Sequence, residues 1–277
     1  MPGTHEVPPP AQETLISRIR LTRLVVFLVA HSFVAVAQSH DPHEAQPERP
    51  TVATHAGTLA AGWLEIEAGA EFDRFKDNSH DVLVPINLKI GLGSQTQLSV
   101  FPSGVKTPEG QAMEFGDLAL GVKWRIADDL PILGRFALLP CIKLPTGSTS
   151  TGAGTGTFDE TLLLISSNDL NGVALDINIG YTRRSGDGNE APREATLWTV
   201  SFGGPGIGDL GWVAEVFGYP GTSGPAGDPP TVAILFGPTF TVRSWLVVDL
   251  GLIEPVVGPQ PYAVYFGATW NIGRISP

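Results

Sequence analysis

A two-residue alternation of apolar and polar side chains, sustained through a long hairpin, constrains this chain more than any other feature. It is clearest from Phe115 to Gly147 (FGDLALGVKWRIADDLPILGRFALLPCIKLPTG). Leu118, Leu120, Val122, Trp124 and Ile126 fall on one face of an extended strand. Asp117, Ala119, Gly121, Lys123 and Arg125 fall on the other, because side chains alternate across a strand. A four-residue turn, Ala127–Leu130, is expected to reverse the chain. Ile132, Gly134, Phe136, Leu138, Pro140, Ile142 and Leu144 then continue the apolar face, with Arg135 and Lys143 opposite. Two such strands are not stable alone in water, so the rest of the chain has to repeat the pattern.

It does so from Thr58 onward. Leu64, Ile66, Ala68, Ala70 and Phe72 oppose Glu65, Glu67 and Glu71, and Val82 to Ile90 alternate against Asn87 and Lys89. Leu98 and Val100 oppose Gln97 and Ser99. Further along, Val173 to Tyr181 oppose Asp176 and Asn178, Trp198 to Phe202 oppose Thr199 and Ser201, and Trp212 to Val216 oppose Glu215. Val232, Ile234 and Phe236 form another apolar face, Leu246 to Leu252 oppose Asp249, and Val264 to Ile272 oppose Tyr265, Thr269 and Asn271. Thr161–Ser166 is apolar without an assignable facing. With it, the reading gives twelve strands.

The connections alternate too. Gly91–Ser94, Ala127–Leu130, Ser167–Asn171, Gly203–Gly208 and Val242–Ser244 are short. Those at Arg74–His80, Ser103–Met113, Thr146–Thr157, Arg183–Arg193, Pro220–Pro229 and Glu254–Pro261 are longer and rich in Gly, Pro and charge. Short turns at one rim and long loops at the other describe an all-β, transmembrane, antiparallel up-and-down β-barrel of about twelve strands. Closing the sheet satisfies every lipid-exposed backbone group. An even strand count puts both barrel ends at the short-turn rim. Phe72, Phe101, Trp124, Tyr181, Trp198, Tyr219 and Trp245 sit near strand ends, where interfacial aromatic girdles belong. A soluble barrel or sandwich shares the alternation, but not the alternating loops and the leader described next.

Arg18, Arg20 and Arg23 precede an apolar run, Leu24–Ala37, that closes on Ala35-Val36-Ala37. A basic region, a short apolar region and small residues at the end make residues 1–37 an extension plus secretory signal. A spanning helix needs about 20 apolar residues, more than this run supplies. Residues 38–57 show no periodicity and read as a disordered periplasmic lead-in, with the barrel over 58–277. His40, Asp41, His43 and Glu44 are metal-capable side chains, though a solvated tail explains them as well. Charged residues are only 16% against 42% hydrophobic, which suits a protein whose apolar surface faces something other than its own core. A net charge of −11 without a basic run excludes nucleic acid as a partner. One cysteine, Cys141, excludes an internal disulfide framework and a cysteine-based zinc site.

The GDLALGVKWRI strand, the return strand ending KLPTG with its Gly/Thr-rich loop, and VALDINIGY resemble the outer-membrane "MetA-pathway of phenol degradation" transporter family. DLGWVAEVFGY, TVAILFGPTF and YAVYFGATWNIG agree with it in order and spacing, so the resemblance covers roughly Thr58 to Arg274. It implies a channel for small molecules, aromatic or hydrophobic ones among them. One departure is that Asn271–Pro277 follow Trp270, where outer-membrane strands usually end on an aromatic residue.

Function has to lie in the inward residues. Glu65, Glu67, Glu71, Lys89, Asp117, Lys123, Arg125, Arg135, Lys143, Asp176, Glu215 and Asp249 are the candidate pore lining. Glu65, Glu67, Glu215 and Asp249 fall on one side of a twelve-strand ring, opposite Lys123, Arg125, Arg135 and Lys143. That predicts a transverse field across a narrow lumen; pairing of the same charges within a plugged interior is the alternative. The expected partners are outer-membrane lipid, a small-molecule solute and the outer-membrane assembly machinery, with no cofactor. A structural or surface-interaction barrel with a closed lumen is a second reading. A lipid hydrolase is a third, but His80 is the only barrel histidine and Ser79 is merely its sequence neighbour. Gly147–Gly152 has the outer glycines of a phosphate loop but Ala153-Gly154 where Lys-Ser/Thr is required.

Overall fold

The computed structural model describes residues 41–107, 112–188 and 191–275. The leader expected within residues 1–37 lies outside them. Fourteen strand segments follow in order: β1 (Trp63–Arg74), β2 (His80–Gly91), β3 (Thr96–Phe101), β4 (Ser103–Lys106), β5 (Glu114–Phe115), β6 (Leu118–Leu130) and β7 (Gly134–Leu144); then β8 (Asp159–Asp169), β9 (Ala174–Arg184), β10 (Glu194–Pro205), β11 (Leu210–Tyr219), β12 (Thr231–Arg243), β13 (Leu246–Val257) and β14 (Tyr262–Arg274). Each pairs antiparallel with its neighbours, and β1 pairs with both β2 and β14, which closes the sheet. β3 and β4 are one stave interrupted at Pro102; β5 and β6 are another, interrupted at Gly116–Asp117. The barrel therefore has twelve staves.

Pro102 breaks its stave because it has no N–H to give the ladder. Its carbonyl still accepts from Ile86 N at 3.1 Å. Trp63 pairs with Arg274, so the barrel's first and last strands meet at the short-turn rim.

The organising hairpin differs from expectation at its turn. β6 runs on through Ala127–Leu130, and the reversal is Pro131-Ile132-Leu133. Register slips between Arg125 and Ala127 and again before Leu130. Bulges of this kind absorb extra residues into a strand, and strict alternation mistakes them for a turn.

The two faces have the polarity that lipid demands. Ile179, Phe236 and Phe266 point outward and are 53%, 47% and 52% exposed. Glu65, Lys123, Asn178, Thr269 and Asn271 point inward and are fully buried. A soluble barrel would reverse that order, because apolar side chains leave water and charges stay in it. β8, unassigned from sequence, sends Leu162 and Leu164 outward and buries Asp159 and Ile165. Phe101 and Tyr219 leave the expected girdle. Phe101 shares the inward phase of buried Gln97 and Ser99, and Tyr219 that of buried Glu215 and Phe217.

The largest correction concerns the lead-in. Asp41–Gly57, expected to be a disordered tail, is ordered inside the barrel, with Ala53, Thr54 and Ala56 buried. The strand wall accordingly begins at Trp63 rather than at Thr58.

Candidate functional site

The inserted segment runs as a loop through the short-turn half of the lumen. At entry, Ala45 N donates to Ser244 O at 2.7 Å, and Asn271 Nδ2 donates to Pro42 O and Glu44 O at 3.1 and 3.2 Å. His43 sets its ring 5.2 Å from Trp63 and 6.1 Å from Trp245, and its Nε2 lies 3.1 Å from Asn271 O. Of the other metal-capable residues, His40 lies outside the described residues, and no metal-capable group of three converges among the described ones.

From there the chain climbs along β1. Gln46 N donates to Glu65 Oε2 at 2.8 Å and Glu48 N to Glu67 Oε1 at 2.6 Å. At the apex Arg49 reaches Asp249 through two 3.2 Å bonds, and Tyr265 Oη donates to Pro50 O at 2.8 Å. Val52 N and Ala53 N both donate to Glu215, at 2.7 and 2.8 Å. The descent follows β9, β8 and β3. Thr54 N donates to Asn178 Oδ1, Ala56 N to Ser167 Oγ and Leu59 N to Gln97 Oε1, at 2.8, 2.8 and 3.1 Å. A segment without regular structure has no ladder for its N–H groups. Here inward side chains of the wall accept from them one after another.

Glu65, Glu67, Lys89, Lys123, Glu215 and Asp249, half of the twelve residues expected to line a pore, bond the inserted segment. Lys89 Nζ lies 2.5 Å from Glu65 Oε1 and 2.7 Å from Glu67 Oε1. Lys123 pairs with Glu48 of the inserted segment and donates to His55 O at 2.9 Å. Arg125 bonds Asp128 and Ser94 O, each at 2.6 Å. Lys143 lies 2.6 Å from Asp117 and 3.2 Å from Asp159, tying down the loop after β7. Asp176 accepts from Ser167 Oγ. Arg135 stands apart at the rim, 47% exposed and 3.5 Å from Asp128. Glu71 lines the lumen above the apex. The charges are not sorted cleanly onto opposite walls, since Lys89 sits beside Glu65 and Glu67 and Asp117 and Asp159 beside Lys143; the inserted segment adds two further pairs, Glu48 with Lys123 and Arg49 with Asp249. Ser79 and His80, the hydrolase candidates, lie at the long-loop rim, where Ser79 Oγ donates to Asp77 at 2.7 Å.

Two inserted side chains are tuned by this setting. Removal from water pushes His55 down to about 3, and the nearby Lys123 charge adds to the shift. The ring is therefore neutral, its Nδ1 accepting from Gly57 N at 3.0 Å. Burial alone would raise the Glu48 carboxyl, but Lys123 and then Lys89 hold it well below the usual carboxylate range.

None of Glu48, Arg49 and His55 was marked by sequence pattern. The available signal was indirect: a row of inward acceptors, Glu65, Glu67, Gln97, Asn178 and Glu215, that a narrow barrel has to satisfy with something. Above and beside the apex the lumen keeps two cavities. One of about 290 Å³ lies against β2, β3, β7 and β8. The other, about 310 Å³, lies between Arg49–Val52, Glu71, Tyr219 and Tyr265.

Residues 68–243 match a family described as "Putative MetA-pathway of phenol degradation". The chain belongs to this family. The phenol-degradation family match begins within β1 and ends at the last residue of β12, so it takes in wall strands and leaves the inserted segment outside. Among solved structures, the chain is similar to the COG4313 outer membrane channel from Pseudomonas putida F1, at a TM-score of 0.62 and 11% identity. That alignment covers 78% of this chain and 97% of the other. It is also similar to the NanC porin, at a TM-score of 0.51 and 11% identity, covering 76% of this chain and 100% of the porin. At such identities the likeness is one of fold, and the shared fold is that of an outer-membrane barrel. No curated protein matches the chain in sequence.

Proposed function

We propose that this family member is an outer-membrane channel for small molecules, narrowed by its own segment from Asp41 to Ala61. The observation that carries this reading is the pairing of an apolar outer surface with a polar, charged interior along the same strands. A wall built so has lipid on one side and a hydrated path on the other. In this reading residues 1–37 export the chain, the assembly machinery inserts it, and solutes cross past the segment's apex. Glu71, Arg49 and the two cavities beside the apex form the narrow part of the path.

The purified, refolded full chain in a planar bilayer tests it. Small stepwise conductances, blocked by added solute, are expected. A second reading is favoured by the close pairing of wall charges with the inserted segment: a barrel permanently closed by it, serving structure or surface interaction. A silent bilayer from protein that still migrates as a folded barrel would establish that reading and overturn the channel.

A further inference from the structure

Near the long-loop rim the outward face of the barrel changes from apolar to basic across β1, β2 and β4. Phe72 pairs with Val82 on β2 and with Val264 on β14, and its ring stacks on Phe266 at 6.2 Å. One step nearer the rim, Arg74 pairs with Tyr262 on one side and His80 on the other. Lys106 lies opposite Val82 on β4 and so stands diagonally from His80. Directly paired residues share a face of the sheet, so Arg74, His80 and Lys106 point outward with Phe72 and Val82, and all three are exposed. Paired Cβ atoms are about 5 Å apart and diagonal ones about 7–8 Å, which makes these three basic side chains one patch on three adjacent staves.

Across the barrel, the outward charges of the same rim cancel: Arg183 on β9 pairs with Glu160 on β8 and with Glu194 on β10. The β1–β4 patch is not answered in this way. Among the described residues Arg74, His80 and Lys106 form no ion pair. Arg74 donates to Asn78 Oδ1 at 2.8 Å, and Asp77, the acid of the turn beyond it, accepts from Ser79 N and Oγ. Past Tyr262, the next outward acid is Glu254, one residue after the Ile253–Ala263 pair. In a chain of net charge −11, an uncompensated basic patch calls for an anion from outside the chain.

We infer that this patch docks the phosphate-bearing headgroup of an outer-leaflet lipid, with its acyl chains lying on Phe72, Val82, Val264 and Phe266. Longer loops mark the extracellular rim, so the patch stands at the level of the outer headgroups. It is also continuous with the lipid-facing wall, and that continuity selects a lipid over a free anion: inorganic phosphate would meet the charges but leave the apolar strip beneath them bare. Arg74 offers paired N–H donors to phosphate oxygens, Lys106 a compact charge and His80 a further donor. Each Lys or Arg at a membrane surface strengthens binding of an anionic headgroup about fivefold. The inference needs the barrel in the outer membrane and does not depend on whether its lumen conducts.

Native mass spectrometry of the folded full-length protein in detergent tests it, with bisphosphorylated lipid A and phosphatidylcholine, whose phosphate is neutralised by its own choline, as probes. Lipid A is expected to bind about tenfold or more tightly than phosphatidylcholine, and excess inorganic phosphate should not displace it. Arg74→Gln combined with Lys106→Gln should remove most of that preference. Arg183→Gln, the same change of charge on the cancelled side, should leave it intact. Should the double variant fail to fold, Lys106→Gln alone is expected to lower the preference about fivefold. Equal binding of the two lipids overturns the site, as does a preference that survives substitution of the patch. Displacement by inorganic phosphate would reduce it to an adventitious anion site and overturn the lipid assignment.

Discussion

Arg49 reaches Asp249 across a floor made of two glycines. Gly69 and Gly267 face each other between β1 and β14, and Gly267 in turn pairs with Asp249 on β13. A Cβ on Gly69 would stand 2.5 Å from Arg49 Nη2, and one on Gly267 would stand 2.6 Å from Arg49 Nε. Neither position can carry a side chain while the guanidinium lies there. The glycines, the arginine and the aspartate therefore form one unit that fixes the apex of the inserted segment to the wall.

Breaking that unit from either end should destabilise the barrel. Arg49→Ala leaves Asp249 buried without its cation, a loss of about 3–5 kcal/mol. Gly267→Ala should approach that loss by displacing the guanidinium. The same Cβ would also stand 2.6 Å from the backbone oxygen of Ala68, so the double substitution should lose more than Arg49→Ala alone but less than the sum of the two single losses. Urea unfolding in micelles measures all three, and additive losses would show that the glycines serve some other purpose.

Lys89 carries a heavier duty, since two carboxylates converge on its ammonium with Gln46 O also 2.7 Å away. Lys89→Met keeps much of the volume and removes the charge. Glu65 and Glu67 are then left facing each other, buried, on the inward side of β1. We expect a loss on the order of 3–5 kcal/mol, and partial recovery when Glu65→Gln is added. The same unfolding experiment checks it; no recovery would place the loss in packing instead.

Acid should loosen the inserted segment, and His55 sets the first window. Its docked pKa of about 3 is below the ordinary 6.5, so the released segment binds the extra proton. The docking contribution is complete above pH 6.5 and falls as pH drops from there towards 3. At pH 5 the loss is up to about 2 kcal/mol. Glu48, held below the usual range, keeps its contribution above its ordinary 4.5 and loses it only as pH falls through its lowered value. Between pH 6.5 and 4.5, therefore, His55→Gln should change the pH profile of conductance or of protease access to the segment. An unchanged pH profile in that variant would falsify the assignment.

Glu215 accepts two N–H groups at the point where the segment turns across the lumen. Glu215→Leu leaves both without an acceptor, at roughly 1–3 kcal/mol each. The apex should then spend more time displaced, raising open-state conductance or its noise in bilayer recordings. Recordings identical to those of the unsubstituted protein would put the apex outside the conducting path.

The barrel was legible because its determinants are local. Each outward Leu, Ile or Phe and each inward Glu, Lys or Asn declares its face through its immediate neighbours in sequence, since the pleat repeats every two residues. Twelve staves, loop polarity and the inward position of Glu65, Lys89, Lys123, Glu215 and Asp249 follow from that alone. Where a bulge shifts the phase, as at Arg125–Ala127, the reading misplaced a turn. Where it relied on nearness to a strand end instead of on phase, as with Phe101 and Tyr219, it put the side chain on the wrong face.

The segment Asp41–Ala61 was beyond the reach of such reading for a different reason. It binds chiefly through backbone N–H and C=O groups, which every residue but proline presents alike, so its sequence carries no pattern. Its partners are wall side chains up to 229 positions away, such as Asn271 to Pro42. Alternation established that acceptors point into a narrow lumen. Only closure of the sheet, which brings β1, β9, β11 and β13 around one space, decided that the chain's own leading segment satisfies them.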